Sequence, residues 1–467
     1  MYGKIIANIS NLLYTYVLPY LLVGAGLYFT FRTKGVQFGL LGESIHVVSE
    51  PSQNKKSLSS FQALMVSTAS RVGTGNIVGV STALCLGGAG SIFWMWVVAL
   101  VGAASAFVES TLAQIYKKSD GQGGSYGGPA YYIEQGLKSK GLGMLFAITL
   151  ILTYAGGFNM LAAFNVSSSF NGFSFFNANT TPAVIGIVLG VLMALSIFGG
   201  GKKLSNITAV LVPVMSIIYI VISFVMIFKN INLVPKMFAD IFRSAFDFRA
   251  IFGGFTGSAM MLGMKRGLYS NEAGIGSAPN AAASASVSHP VKQGLVQVLS
   301  VYIDTIIICT ATAFMLLCSG VAPSAKMAGA PYNISALTKN FGSFGMVFFT
   351  FALFLFAFTT LIGNYFYAEA NLAYIFRKKL SHSFVMVFRT ICCILVFIGT
   401  QMKFSVAWDT ADVLMALMAL INLPTIITLS KPAFDCLKDY TAQKKEGKNP
   451  VFLARNIGLK EHTDFWN

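Results

Sequence analysis

Two short stretches hold the groups best suited to bind a small charged solute. Ser67-Thr-Ala-Ser-Arg-Val-Gly-Thr-Gly-Asn-Ile-Val-Gly79 and Ser270-Asn-Glu-Ala-Gly-Ile-Gly-Ser-Ala-Pro-Asn280 each set paired glycines and small polar residues inside an apolar run. In hydrocarbon an unpaired backbone group costs several kcal/mol, so irregular backbone survives only where it lines a polar site. The freed N–H groups at the start of a half-helix suit a carboxylate, and freed carbonyls suit a hard cation such as sodium. Close helix packing is the plainer use of such glycines and is the expectation for Gly79. Packing alone needs no asparagine, so Gly73, Thr74, Gly75 and Asn76 are read as binding residues, with Gly274, Ile275 and Gly276 as their counterparts in the second stretch.

Other motifs fail on spacing. Gly73, Gly75 and Gly79 do not match GxGxxG and no strand precedes them, and Gly199-Gly-Gly-Lys-Lys203 is no phosphate-binding loop. No ATP use is expected, so uphill work must draw on an ion gradient. The six cysteines (85, 309, 318, 392, 393, 436) fall mainly in apolar runs without metal-ligand spacing and read as small buried hydrophobes. Of the histidines, 46, 382 and 462 fall in loops or tail, and His289 before Pro290 reads as a helix-end hydrogen bond. No cofactor is expected.

The elements that carry these stretches follow from composition. Of 467 residues 55% are hydrophobic and 11% charged, against about 25% charged in a soluble domain. Forty Phe and eighteen Tyr exceed what one soluble core hides. A soluble enzyme and a disordered chain are excluded, and the class is an all-α polytopic membrane protein. With about 20 apolar residues per span, eleven spans are expected: 12–32, 60–84, 90–116, 143–170, 182–199, 205–228, 254–286, 291–319, 343–376, 383–400 and 406–430.

Eleven divides into one lead-in helix and ten others. The ten split into a first five-helix repeat at 58–228 and a second at 251–430, and five being odd, the second sits inverted. Residues 1–57 then hold the extracellular N-terminus, lead-in helix and a cytoplasmic loop; 229–250 form an extracellular linker and 431–467 a basic cytoplasmic tail. The net charge of +16 is spread between apolar runs and not over a nucleic-acid-binding face. Alternate loops carry 8 and 21 Lys/Arg, which puts the N-terminus outside and the C-terminus inside. The tail is assigned surface electrostatics only.

Charges at membrane depth each need a reason. Arg71 and Glu109 either pair to close the cytoplasmic side or are satisfied separately. Glu272 is read as a gating or helix-orienting group, and Asp304 as a buried hydrogen-bonding carboxylate or an ion ligand.

Several longer motifs carry a family resemblance. Arg71-Val-Gly-Thr-Gly-Asn-Ile-Val-Gly79, Glu109-Ser-Thr-Leu-Ala-Gln-Ile-Tyr116, Gly127-Gly-Pro-Ala-Tyr-Tyr132, Ser270–Asn280 and Asn364-Tyr-Phe-Tyr-Ala-Glu369 resemble the alanine or glycine:cation symporter family, in the bacterial branch that includes glutamine carriers. The resemblance, over about 58–430, implies the five-plus-five inverted repeat of the leucine-transporter fold. It also implies uptake of a small neutral amino acid (alanine, glycine or glutamine class) with sodium across the cytoplasmic membrane of a prokaryote. It makes Thr74, Gly75 and Asn76 candidates for substrate and ion contact. It implies a sodium site at Thr359 and Thr360 with the carbonyls of Ala69 and Val72. Where the family commonly carries Gln-Ala-Asn or Gln-Ser-Asn, this chain has Ala162-Ala163-Phe164, and Asn364 stands where some members have Trp. Ala162, Phe164 and Asn364 are therefore expected to reshape the substrate pocket. A proton-coupled carrier of the same fold is the competing expectation.

Overall fold

The computed structural model describes residues 2–52, 57–121, 123–198, 200–247, 258–377, 381–459 and 463–467. The expected start of a span at 254, together with Gly199, Arg249 and His462, lies outside them. The described chain is almost entirely helical; one two-residue hairpin pairs Lys118–Ser119 with Ser125–Tyr126.

Among the described residues, eight helices are long and apolar enough to cross a membrane. They are α1 (Tyr2–Arg32), α4 (Gly90–Ile115), α5 (Lys140–Gly172), α7 (Asn206–Lys229), α10 (Pro290–Leu317), α11 (Ser343–Phe376), α12 (His382–Thr400) and α13 (Phe404–Thr428). The first expected span begins ten residues too late, because Tyr2–Tyr16 continues the helix beyond its most apolar part. α6 (Thr181–Ile197) is shorter. The two glycine-rich stretches each split a helix: α2 (Ser60–Arg71) from α3 (Gly75–Gly87), and α8 (Ala259–Asn271) from α9 (Pro279–Ala283). α14 (Ser430–Lys445) follows the last long helix.

α2 starts at a capping box, in which Ser59 accepts from the Gln62 amide while the Gln62 side chain accepts from the Ser59 amide. It stops where Val72, at ψ 85°, leaves helical geometry. α8 stops at Glu272, which holds a left-handed φ of 54°, and Gly274 (φ 83°) and Gly276 (φ 88°) extend the unwound segment. A Cβ at Gly276 would lie 2.7 Å from the Phe146 ring and 2.8 Å from Pro129, so packing as well as φ demands glycine there.

Three wide π turns interrupt the helices: Gly75–Gly79, Leu152–Phe158 in α5 and Tyr302–Cys309 in α10. Each adds a residue to its turn and so re-aims the following side chains, a device common at functional sites. α6, α7 and α12 turn Val184, Ile187, Val191, Val214, Ile217, Val387 and Ile391 outward as exposed apolar side chains, the surface a helix presents to lipid.

The C-terminal segment does more than supply surface charge. Trp466 is buried, and its indole donates to the Gln114 carbonyl at 2.8 Å. The Lys117 amine lies 4.6 Å from the Phe465 ring centre and 4.9 Å from that of Trp466, and burial lowers it to about 7. Asp464 pairs with Lys118 at 2.9 Å, and the Phe452 amide donates to the Ser288 carbonyl at 2.9 Å. The sequence reading missed this because two aromatics in a polar tail have no periodicity to betray a docking site. His289 behaves as expected: its Nδ1 accepts from the Val291 amide at 3.2 Å, and burial holds the imidazole down at about 4 despite Asp439 at 3.2 Å. Truncating a buried Trp to Ala costs about 3–5 kcal/mol in a core. Even with part of that lost at this peripheral position, Trp466→Ala is expected to accelerate amide hydrogen exchange over 450–459 at least ~10-fold. Unchanged exchange there would show that the indole does not hold the tail.

Candidate functional site

The two broken segments meet at the centre of the bundle through side chains. Asn76, in the first wide turn, accepts from the freed Gly73 amide at 2.8 Å. Its Nδ2 donates to Ser270 Oγ at 3.0 Å, to Asp304 Oδ1 at 2.6 Å and to the Asp304 carbonyl at 3.1 Å. The Asp304 carboxylate also accepts from Ser270 and Thr305, each at 2.7 Å. One asparagine thus ties the first break to the end of α8 and to the wide turn of α10. Asp304 takes only neutral donors in these bonds, and a hydrogen-bonding role is what the geometry displays.

On the other side of the break, Ser70 donates at 2.8 Å to Asn364 Oδ1 and at 3.2 Å to Glu272 Oε1. Ser277 donates to Glu272 Oε2 at 2.7 Å. Glu272 therefore bridges the end of α2 and the unwound segment after α8. Asn364 Nδ2 donates to Asn159 Oδ1 at 2.9 Å. Thr74 Oγ1 and the Tyr269 hydroxyl are 3.4 Å apart, and the Tyr269 ring packs edge-on against Phe158 and Trp408, with centres 5.0 and 5.2 Å away.

Arg71 and Glu109 do not form an ion pair in this structure. Arg71 donates to Gln297 Oε1 at 3.1 Å. Glu109 accepts from the Gly274 amide at 3.3 Å and from Asn422 at 2.8 Å, and Asn422 also donates to the Gly274 carbonyl at 2.9 Å. The reason is the second break: its freed amide is nearer to Glu109 than any cation is, so the carboxylate caps it. Gly274 is thereby held by protein groups, while Ile275 is packed in the core and its amide reaches back to the Glu272 carbonyl at 3.4 Å.

The adjacent threonines part company. Thr360 Oγ1 lies 2.9 Å from the Phe356 carbonyl and 3.3 Å from that of Ala69. It also occupies the space that a Cβ on Gly73 would need. Thr359 turns its hydroxyl to the Leu355 and Phe356 carbonyls and toward Met215 Sδ at 3.6 Å. Successive helical residues point about 100° apart, so only Thr360 reaches the first break. Val72 lies at that break and turns the chain.

Ala162 and Phe164 are not brought to the centre. Ala162 packs in a separate apolar cluster with Ala155, Val166, Ala357 and Leu361, and Phe164 packs on Phe404 with ring centres 6.2 Å apart. The extra residue in the wide turn of α5 re-aims the helix so that Asn159 meets Asn364 instead.

A buried charge cluster was missed altogether. Asp412 Oδ2 lies 2.7 Å from Arg266 and 2.9 Å from Lys265, joining α8 to α13. The Arg266 guanidinium stacks on Trp408 at 4.2 Å, and Lys265 donates to Ser10 at 2.8 Å. The available signal was the pair Asp409 and Asp412 inside one apolar run, with Lys265 and Arg266 inside another. Asn76, Asp304, Glu272, Asn364, Thr360 and Asp412 are each at most 4% exposed, so this centre is sealed from both ends.

The model of the sodium:alanine symporter family matches residues 1–454. The chain is 44% identical to the amino-acid carrier protein AlsT of Bacillus subtilis, over 98% of this chain and 96% of that one. It is 44% identical to the probable sodium/glutamine symporter GlnT of the same organism, over 98% and 94%. It is 35% identical to the sodium/alanine symporter AgcS of Methanococcus maripaludis, over 92% and 96%. The chain belongs to the sodium:alanine symporter family; it is a multi-pass membrane transporter and not an enzyme.

Proposed function

We propose that this family member imports a small neutral amino acid together with sodium by alternating access. The observation that carries the reading is the meeting of two unwound helix segments in a sealed polar centre, tied through Asn76 and Glu272. Paired discontinuous helices of this kind are where transporters bind substrate and ion.

In this reading the chain spans the membrane eleven times, as a lead-in helix and two inverted five-helix repeats, with the N-terminus outside and the tail in the cytoplasm. The broken helices are the first of each repeat. The substrate carboxylate sits at the start of α3, where Thr74, Gly75 and Asn76 offer amide groups and the positive helix end. Sodium sits between Thr360 Oγ1 and the Ala69 and Phe356 carbonyls, with Val72 beside them; these are the oxygen donors a hard cation prefers. Arg266, Lys265 and Asp412 close the outer side. Glu109, Asn422 and Arg71 close the inner side, and exchange between the two closures carries the cargo across. One sodium moving down 100 mV supplies about 2.3 kcal/mol. A tenfold sodium gradient adds about 1.4 kcal/mol. The sum sustains several-hundred-fold accumulation.

The proton-coupled alternative rests on Asp304 and Glu272, buried carboxylates whose hydrogen bonds come from neutral side chains. Uptake of labelled alanine and glutamine into proteoliposomes at fixed pH, with external sodium replaced by choline, separates the two. Sodium coupling predicts loss of concentrative uptake in choline; uptake that persists and follows an imposed pH gradient would favour the proton.

A further inference from the structure

We infer that Asn159 is a specificity-determining residue and that it favours substrates whose side chain carries a carboxamide, the glutamine and asparagine class, over alanine. The inference rests on the proposed amino-acid symport and names the substrate class of that same site.

The two sides of the first break differ in how far their polar groups are satisfied. On the α10 side the Asp304 carboxylate is filled by Asn76, Ser270 and Thr305, and the Cys309 thiol closes the cluster 3.0 Å from Ser270 Oγ. Within that cluster no donor is left unmet; the unpaired donors on this side belong to Arg71, Asn271 and Gln297, outside it. On the α5 and α11 side, a hydrogen-bonded chain runs from Ser70 through Asn364 to Asn159 and stops. Asn159 is 0% exposed, and its Nδ2 has no hydrogen-bond partner. Tyr367, one turn along α11 from Asn364, likewise ends in a buried hydroxyl without a partner, and it lies near Glu272.

A buried donor left unpaired costs about 1–3 kcal/mol. The acceptor that satisfies it must enter with the cargo and must be carried on a side chain, because the backbone carboxylate is engaged at α3. A carboxamide carbonyl fits that requirement, whereas the methyl of alanine and the hydrogen of glycine do not. Sites built around such a donor discriminate strongly against analogues that lack the acceptor. The local fold is arranged for it: Asn159 is the first residue after the wide turn of α5, and the extra residue of that turn is what aims it at Asn364 and not into the apolar cluster that holds Ala162.

The test measures sodium-driven uptake of labelled L-alanine and L-glutamine by the full-length protein in proteoliposomes, for wild type and for Asn159→Leu, which keeps the branching at Cγ and removes the amide. The wild type is expected to take up both, with the lower KM for glutamine. Asn159→Leu is expected to raise the glutamine KM about tenfold, the worth of one neutral hydrogen bond, while the alanine KM moves less than about twofold on the same scale. Retained alanine transport shows that the variant folds. If it folds poorly, the ratio of glutamine to alanine KM in Asn159→Ser, which keeps a short donor, is expected to fall between the two. An equal shift for both substrates would reduce Asn159 to a packing role and overturn the inference while leaving symport intact. Wild-type uptake of alanine without competition by glutamine or asparagine would do the same. Failure of the wild type to concentrate either substrate under a sodium gradient would instead bring down the symport reading, and the inference with it.

Discussion

Asp412→Asn is expected to destabilise the protein by about 3–5 kcal/mol, the usual cost of removing one member of a buried ion cluster. The substitution keeps the shape of the side chain, so the loss isolates charge. Lys265 and Arg266 converge on the same carboxylate oxygen at 2.9 and 2.7 Å, and Asp412 is fully buried. Without that charge two neighbouring cations of α8 are left buried against α13, with the half-buried Asp409 as an anion close enough to interact with both. The thermal midpoint in detergent is expected to fall steeply, and uptake to collapse with it. Lys265→Met leaves one guanidinium opposite one carboxylate and should be much milder. Equal damage from the two variants would mean that the cluster acts through packing and not through charge.

The second large effect separates the two threonines. Thr360→Val is isosteric and removes the hydroxyl that approaches the Ala69 carbonyl at the first break. Loss of one ligand to a charged species costs about 1.5–3 kcal/mol, so the sodium concentration for half-maximal uptake is expected to rise about 10- to 100-fold. Thr359→Val, one residue earlier, removes a hydroxyl that faces Met215 and its own helix. It is expected to leave sodium dependence within about twofold, since back-bonded threonines contribute little. A titration of uptake against sodium for both variants decides the matter, and similar shifts would place Thr359 at the ion as well.

Both results turn on orientation, which is where sequence and structure divide the work. The chain's apolar runs, its scarcity of charge and the glycine pairs at 73/75 and 274/276 were enough to say that it crosses a membrane and where its helices break. Those conclusions rest on local physics: backbone groups in hydrocarbon must be paired, so an interruption rich in glycine and asparagine announces itself. The motifs around Asn76 and Glu272 were legible for the same reason, whereas Asn364, in an unbroken helix, was singled out by the family resemblance.

Partnership was not legible. For Arg71 and Glu109 the sequence left pairing and separate satisfaction open, and Glu109 caps the Gly274 amide, because a freed N–H from a distant break lies closer to it than the arginine does. Asn159, and not Ala162, meets Asn364, and the wide turn just before Asn159 is a shift that no periodicity in the sequence records. Asp412 met Arg266 across 146 positions of chain, and Trp466 met Gln114 across 352. What a residue is follows from its own chemistry and its immediate neighbours. What it faces depends on how long helices pack, and that is settled only when the whole bundle closes.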